Sequence, residues 1–456
     1  MSATSSLAPA STAPCSLVPP TTVDSTLDAN STPPLTNNLW PESTDYRAYL
    51  SVINLSSDEE ESEDLYAALS ASMEDQIKES SSASVPIQEI LSELGEKINN
   101  NQVNRFNINR AAVLDGAIRG FKRISYDPTH RISVRFSDDK GKTEEAVDLG
   151  GPRREFLRLL TEALAQYEMF EGTEGNLNLA LDATAVREDR YFITGRAIAV
   201  SLVHGGPSPN FLSKTLFDCI VQGPEKSRPR LEDIADVEIR EKIQKVSEST
   251  TLEQLIQSTQ PLLDYLANAG CLKPLKTVDD RDRLVEDVLM FQVINRVRGP
   301  FERFRDGLKT LGVLEQIQMH PESFSPVMCY NPKPLTADQV DELFHIRWSE
   351  EGTNQKREEE TVVAFWRDYL QDVEEEDGAE KLGDILAFAT GSDAVPPIGF
   401  SPQPSLEFIH PSGRAQKFPV ANTCISCLRL PIYSTYSCFK SNMDFAIRNT
   451  QGFGMP

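Results

Sequence analysis

Two cysteines three positions apart near the end of the chain, Cys424-Ile-Ser-Cys427, are the side chains with the widest choice of chemistry. A C-x-x-C pair can supply half of a zinc site or carry out thiol–disulfide exchange. A single deprotonated thiol can instead attack a carbonyl and hold an acyl group as a thioester. Zinc needs further ligands; His410 is at hand, but no second C-x-x-C and no cluster of histidines completes a set. Thiol–disulfide exchange calls for a strand-to-helix setting near the start of its domain, which these residues do not have. Upstream, Gly150-Gly151-Pro152 can open a helix whose N-terminus attracts an anion. The chain carries neither a full phosphate-binding loop nor a dinucleotide fingerprint, so nucleotide binding is not expected. His204 closes a dense apolar run and reads as a structural histidine rather than a catalytic one.

The elements that must position these residues sit in a chain of 456 residues, long enough for two or three domains. Hydrophobic residues make up only 39% of it, which suggests a globular part diluted by a polar tail. With 69 acidic against 45 basic residues the formal net charge is -24. That balance argues against nucleic acid and anionic membranes as partners and suits a protein with a basic face. No apolar run reaches the roughly 18 residues a membrane span needs. The N-terminus has no basic leader or apolar core, so no secretory signal is expected. The seven cysteines (Cys15, Cys219, Cys271, Cys329, Cys424, Cys427 and Cys438) are scattered and odd in number. Reduced thiols in the cytoplasm or nucleus fit that pattern better than a disulfide framework.

Residues 1–50 are rich in Ser, Thr and Pro and read as a disordered tail. Residues 51–61 join a β-prone run to acidic residues, Val52-Ile-Asn-Leu55 and then Ser56-Ser-Asp-Glu-Glu-Glu61. This resembles a SUMO-interacting motif, in which Val52, Ile53 and Leu55 would add a strand to an exposed sheet edge and the acids would meet basic residues beside it. Residues 62–78 place Leu65, Ala68, Leu69 and Ser72 at i, i+3, i+4 and i+7 behind an acidic start. They resemble a ubiquitin-interacting motif; the likeness implies that Ala68 lets the helix lie close to ubiquitin and that Ser72 bonds its backbone. Residues 79–105 read as a linker with a helical stripe, Ile87, Ile90, Leu91, Leu94 and Ile98, broken by Asn99-Asn-Asn-Gln102.

From Phe106 the composition is globular. Phe106–Arg119 reads as a helix, Ile132–Phe136 as a strand by its alternation, and Ala146–Leu160 as a strand-to-helix junction. Tyr191–Val203 is a buried helix, and 207–345 is mainly helical. Trp348–Arg357 is polar with a central glycine and is the expected hinge between two units. Val362, Phe365, Trp366 and Tyr369 then form a core stripe.

Several of these stretches resemble the landmarks of the HECT ubiquitin ligases, in the family's order. They are the Val-Arg-Phe strand before Asp148-Leu-Gly-Gly-Pro-Arg-Arg-Glu-Phe156, the buried helix ending at His204-Gly205, Leu386-Ala-Phe-Ala-Thr-Gly-Ser392, Pro396-Pro-Ile-Gly-Phe400, and Asn422-Thr-Cys424 ahead of Leu428-Arg-Leu-Pro-Ile-Tyr433. The wording of the first half is nearest to the G2/M-phase-specific ligase group. The resemblance covers roughly 106–456 and implies an α+β, bilobal domain: a large, mainly helical N-lobe at 106–350 and a small α/β C-lobe at 351–456. It implies that Cys424 carries ubiquitin as a thioester taken from an E2 enzyme and gives it to a substrate lysine, with Thr423 orienting the thioester and Phe453 positioning the loaded lobe. It implies no cofactor and no metal. The implied partners are an E2, ubiquitin and protein substrates, with SUMO or sumoylated proteins added by the N-terminal motif. Asn422 stands where the family often has His, and the region around 240–285, where the family docks the E2, reads as short and helical. A second class stays open, an adaptor that keeps the fold and binds ubiquitin or SUMO without transferring either.

Overall fold

The first helix of the computed structural model, α1 (Ile87–Gly95), follows Pro86 and buries Ile90, Leu91 and Leu94, one helical stripe. The structure describes residues 84–137, 150–331, 334–376, 379–411 and 417–449. The expected SUMO-binding residues Val52, Ile53 and Leu55, the expected ubiquitin-binding residues Leu65, Ala68, Leu69 and Ser72, and Phe453 lie outside them.

Strand β1 (Asn99–Asn109) comes next and differs from the helix expected over Phe106–Arg119. Asn104, Phe106 and Ile108 are buried while Arg105 and Asn107 are exposed, a period of two that only a strand can present to one core. The Asn109 side chain then accepts from the backbone N–H of Ala111, which turns the chain into α2 (Val113–Phe121). Strand β2 (His130–Ser137) pairs with β1 in parallel, Phe106 opposite Val134 and Ile108 opposite Phe136. Helix α2 makes the crossover that a parallel pair requires.

Helix α3 (Gly151–Ala165) has Pro152 in its first turn, the junction read from the sequence, and buries Phe156, Leu157, Leu160 and Leu164. A hairpin of β3 (Phe170–Thr173) and β4 (Asn176–Leu179) leads to α4 (Ala183–Arg187), α5 (Arg190–Val203) and α6 (Lys214–Gln222). The region around 240–285 is helical as read, with α7 (Val237–Ser247), α8 (Leu252–Thr259), α9 (Leu263–Asn268) and α10 (Asp280–Leu289). Then come α11 (Arg298–Leu308), α12 (Val313–Met319) and α13 (Pro321–Met328). Helices α5 and α11 meet at two glycines: a Cβ on Gly195 would lie 2.1 Å from the Phe304 carbonyl oxygen, and one on Gly307 would lie 2.2 Å from that of Phe192. One hydrophobic core runs from Ile90 to Met328 through all of these elements.

A second core begins at Ala337 in α14 (Ala337–Leu343). It takes in Val362, Trp366 and Tyr369 of α15 (Asn354–Glu376), Leu382, Ile385 and Leu386 of α16 (Ala379–Thr390), and a four-stranded sheet. The sheet is ordered β5 (His345–Ile346), β6 (Ser405–Ile409), β8 (Cys427–Pro431), β7 (Val420–Asn422), parallel except for β7, which runs antiparallel to β8. Helix α17 (Tyr436–Arg448) closes the core with Phe439 and Met443. The fold is α+β and bilobal. The polar stretch Trp348–Arg357, expected as a hinge, falls within the span of the unit built on the second core, which begins at Ala337, rather than before it. Its groups are tied down: Ser349 donates from backbone and hydroxyl to the buried Glu359 carboxylate, and Trp348 stacks on Phe408 at 5.8 Å. The expected linker at 79–105 likewise contributes Ile90, Leu91 and Leu94 to the first core.

Among the described residues no helix is long and apolar enough to cross a membrane.

Candidate active site

Cys424 lies in the connection between β7 and β8. Asn422 pairs with Cys427 across these strands, so only Thr423, Cys424, Ile425 and Ser426 make the turn. Thr423–Ile425 form one 3₁₀ turn, and Ser426 closes it with φ +50°, in the left-handed region. Ser426 is fully buried and its carbonyl accepts from the Ser405 backbone N–H at 2.8 Å, which ties the end of the loop to the start of β6. Cys424 itself is half-buried, between an exposed Asn422 and an exposed Ile425.

The two cysteines of the C-x-x-C part company at this loop. Cys427 is the first residue of β8, fully buried, and burial pushes its thiol up. His410, the one histidine at hand for a zinc site, lies instead with its Nε2 2.7 Å from the Glu359 carboxylate. Among the described residues no group of three His, Cys, Asp or Glu side chains could hold a metal ion.

The N-lobe supplies the opposite wall of the loop. Helix α3 begins at Gly151, against Thr423: a Cβ at Gly151 would lie 2.3 Å from Thr423 Oγ1 and 2.9 Å from Thr423 Cβ. Gly150, at φ +137°, lies less tightly against the Cys424 carbonyl oxygen, 3.4 Å from where a Cβ would stand. One turn into the helix, Arg154 crosses to the C-lobe. Its Nε donates to the Thr390 carbonyl at 2.8 Å, and its Nη2 donates to the Thr423 carbonyl and to Ser426 Oγ, the latter at 3.2 Å. Arg154 is only 4% exposed. Its neighbour Glu155 turns the other way and makes a bidentate pair with Arg110.

The turn after α16 completes the wall. Gly391, at φ +86°, places its backbone beside the Gly151 carbonyl, and Thr390 and Ser392 hold that turn with mutual side-chain and backbone bonds. Further along, Ile398 packs on the first core, within 4 Å of where side chains at Gly95 and Gly205 would begin. Three landmarks read separately in the sequence, Gly-Gly-Pro-x-Arg, Thr-Gly-Ser and Asn-Thr-Cys, therefore meet at one loop. Arg154 and the Thr390 turn escaped the sequence reading as site residues, although both lay inside motifs it had marked.

Ahead of the loop in the chain, the Lys417 carbonyl accepts from the Tyr433 hydroxyl at 2.8 Å, which fixes the entry to β7. Phe418 and Phe445 stack in the open with centroids 4.6 Å apart, and Val420 is exposed beside them in the chain. The arrangement gives a half-buried thiol on a loop whose backbone is clamped at both ends.

Residues 158–456 match the HECT-domain (ubiquitin-transferase) model. The chain belongs to the HECT family. Within this family it is 41% identical, over 79% of its own length, to the G2/M phase-specific E3 ubiquitin-protein ligase of Gallus gallus, and 40% identical over 80% to the human protein of that name. It is 22% identical over 72% to the E3 ubiquitin-protein ligase RSP5 of Saccharomyces cerevisiae. The chain spans about half the length of the curated relatives it matches, 47% and 49% of the first two. The HECT match begins at Arg158, so the Gly150–Arg154 wall of the loop lies just before it.

Proposed function

We propose that this chain is an E3 ubiquitin transferase that works through a thioester on Cys424. In the first step the Cys424 thiolate attacks the thioester carbonyl of a charged E2, and the E2 thiolate leaves. In the second, a neutral substrate lysine amine attacks the Cys424 thioester, the Cys424 thiolate leaves, and the amine loses one proton as the isopeptide bond forms. Both steps exchange acyl groups and need no metal or redox partner. The observation that carries the reading is the loop: membership of the HECT family, together with a half-buried cysteine whose backbone is fixed from both lobes. Thr423 contributes through its carbonyl, held by Arg154, and through its packing on Gly151. The exposed Phe418–Phe445 pair offers an apolar face that a carried protein would cover. Phe453 belongs to the same reading as a positioning residue for the loaded lobe.

The partners that follow are an E2, ubiquitin and lysine-bearing protein substrates. The segment from Leu65 to Ser72 would hold ubiquitin weakly and raise its local concentration, and Val52, Ile53 and Leu55 would bind SUMO or a sumoylated protein. The chemistry requires reduced thiols, which a cytoplasmic or nuclear setting would supply.

The test is incubation of the full chain with E1, a panel of E2 enzymes and ubiquitin, followed by non-reducing electrophoresis. A thiol-sensitive adduct that disappears in Cys424→Ala supports the proposal. No adduct with any E2, and no difference between wild type and Cys424→Ala, would leave the adaptor reading in its place. An unchanged ubiquitin affinity in Ala68→Gly/Ser72→Asp would remove the claim for the N-terminal helix.

A further inference from the structure

We propose that Arg154 is a positioning residue that latches the Cys424 loop onto the N-lobe, and that the latch serves discharge of the thioester rather than its formation. The second half of this proposal rests on the ligase reading above; the first half does not.

The latch is built from one buried guanidinium and three acceptors on the other lobe. The Thr390 carbonyl receives Nε, and the Thr423 carbonyl and the Ser426 hydroxyl share Nη2. Thr423 and Ser426 bracket Cys424 in the sequence, so the same side chain holds the loop on both sides of the nucleophile. The acceptors lie 236, 269 and 272 residues away along the chain, so their meeting at Arg154 depends on the docking of the two lobes. Taking a guanidinium out of water is costly, and only well-aimed acceptors offset the cost. Its planar fork addresses divergent acceptors, which the single centre of a lysine cannot do. Gly151 makes the approach possible, because a Cβ there would overlap Thr423, and a Cβ at Gly150 would crowd the Arg154 guanidinium at 3.1 Å. Ile398 against the first core gives the docked lobes a second contact away from the loop.

Docking has a consequence for the two steps. With Thr423 against α3, one side of the loop is closed, while Asn422 and Ile425 stay exposed. A lysine side chain needs only a narrow approach to a thioester carbonyl, and it gains most from a carbonyl that is held still. A charged E2 is a whole protein and needs more room around the same thiol. The latched arrangement therefore suits attack by an amine.

The test uses the full chain as wild type, Arg154→Met and Arg154→Lys. Hydrogen exchange on unloaded protein reads the latch directly. In Arg154→Met, peptides covering 387–394 and 420–428 should exchange faster together, while peptides in α5 and α15 keep their wild-type protection. Arg154→Lys keeps charge and length but not the fork, so it should deprotect the same two segments and show that the fork, not the charge, makes the latch. If Arg154→Met loses protection throughout, the Lys variant carries the test. In a single-turnover assay, loading of Cys424 from the E2 should stay within about two-fold of wild type. Discharge to free lysine should slow by about ten-fold, the equivalent of one lost charge-assisted hydrogen bond. Unchanged exchange in the two segments would overturn the latch. Equal losses in loading and discharge, or an unchanged discharge rate, would overturn its assignment to the second step. If wild type forms no thioester at all, the ligase reading falls and takes the step assignment with it, while the exchange result still decides the latch.

Discussion

The tightest test of the lobe contact is a single methyl group, Gly151→Ala. Gly151 is the first residue of α3 and its backbone is compatible with alanine, so on local grounds the change should help the helix by roughly 0.5–1 kcal/mol. Across the lobe boundary the opposite holds. The new Cβ would stand 2.3 Å from Thr423 Oγ1, 2.9 Å from Thr423 Cβ and 3.1 Å from the Thr423 carbonyl carbon. Rotating Thr423 can take the hydroxyl away but not the other two atoms, so the loop itself must shift. Overpacking of this kind costs about 1–3 kcal/mol. Full separation of the loop from α3 would instead release hydrogen bonds from a buried guanidinium, each worth roughly 1.5–3 kcal/mol. The shift is the cheaper route. The expected net effect is thus a destabilisation of about 0.5–2 kcal/mol, with Arg154 still engaged.

Gly299 provides the matched control. It too lies in the first turn of a helix, α11, but a Cβ there would meet nothing within 4 Å. Gly299→Ala should leave the urea midpoint unchanged or raise it, whereas Gly151→Ala should lower it. In a double-mutant cycle, Thr423→Gly removes both Thr423 side-chain contacts and should recover a large part of the Gly151→Ala loss, a coupling of at least about 1 kcal/mol. If Gly151→Ala behaves like Gly299→Ala, the loop does not rest on α3 in solution and the reasoning fails.

Three other outcomes follow from individual side chains. Burial pushes the His204 imidazole down to about 4, against the Pro128 carbonyl that accepts from Nε2. The unfolded chain takes this proton near pH 6.5, so the folded state loses stability as pH falls from there toward 4, by roughly 3 kcal/mol in full. His204→Gln should flatten that part of the urea-midpoint profile between pH 7 and 4.5, and an unchanged slope would contradict the assignment. At Glu359, burial alone would raise the carboxyl, but bonds from Ser349 and His410 outweigh it and hold the group below its ordinary value. Its contribution is present above about pH 4.5 and is lost as pH falls through the folded value. Glu359→Ala leaves Ser349 and His410 without their acceptor and should cost about 2–4 kcal/mol at pH 7, checked by urea denaturation. Finally, iodoacetamide at pH 7.5 should label exposed Cys438 and half-buried Cys424 about ten-fold or more faster than Cys427, Cys219 and Cys329. These three thiols are pushed up by burial, the last two to about 11. Peptide mapping that finds Cys427 modified as fast as Cys438 would place β8 wrongly.

How far the sequence disclosed this architecture depends on where each partner lies. Val362, Trp366 and Tyr369 were legible because their partners repeat every turn within one helix, and Ile132–Phe136 because alternation is local. The end of β1, Phe106–Asn109, reads as part of the helix that follows and its start as linker, because its buried face includes Asn104, and apolar periodicity gives no sign when a polar residue fills a core position. There the Asn104 side chain donates to the Asp127 and His130 carbonyls, a tertiary fact with no local trace. The polar stretch at 348–357 looked like a hinge because its charges suggested solvent, yet its groups fold back onto Glu359 and Phe408.

Arg154 shows the same limit at the site itself. In the run Arg153-Arg154-Glu155 it resembles the solvated start of a helix, and nothing local separates it from Arg158, which pairs with Glu162 at the surface. The Thr390 and Thr423 groups that accept from it are backbone carbonyls, which carry no signature in any sequence. A thiol that must accept an acyl group and give it up needs an accessible sulfur on a backbone that does not move. The sulfur itself stands in the loop's own sequence and could be read there. The fixed backbone is supplied from a different lobe, through a glycine pair whose value lies in having no side chains and an arginine whose value lies in where it points. For that reason the cysteine was the first residue the sequence offered, and the groups that hold it were among the last.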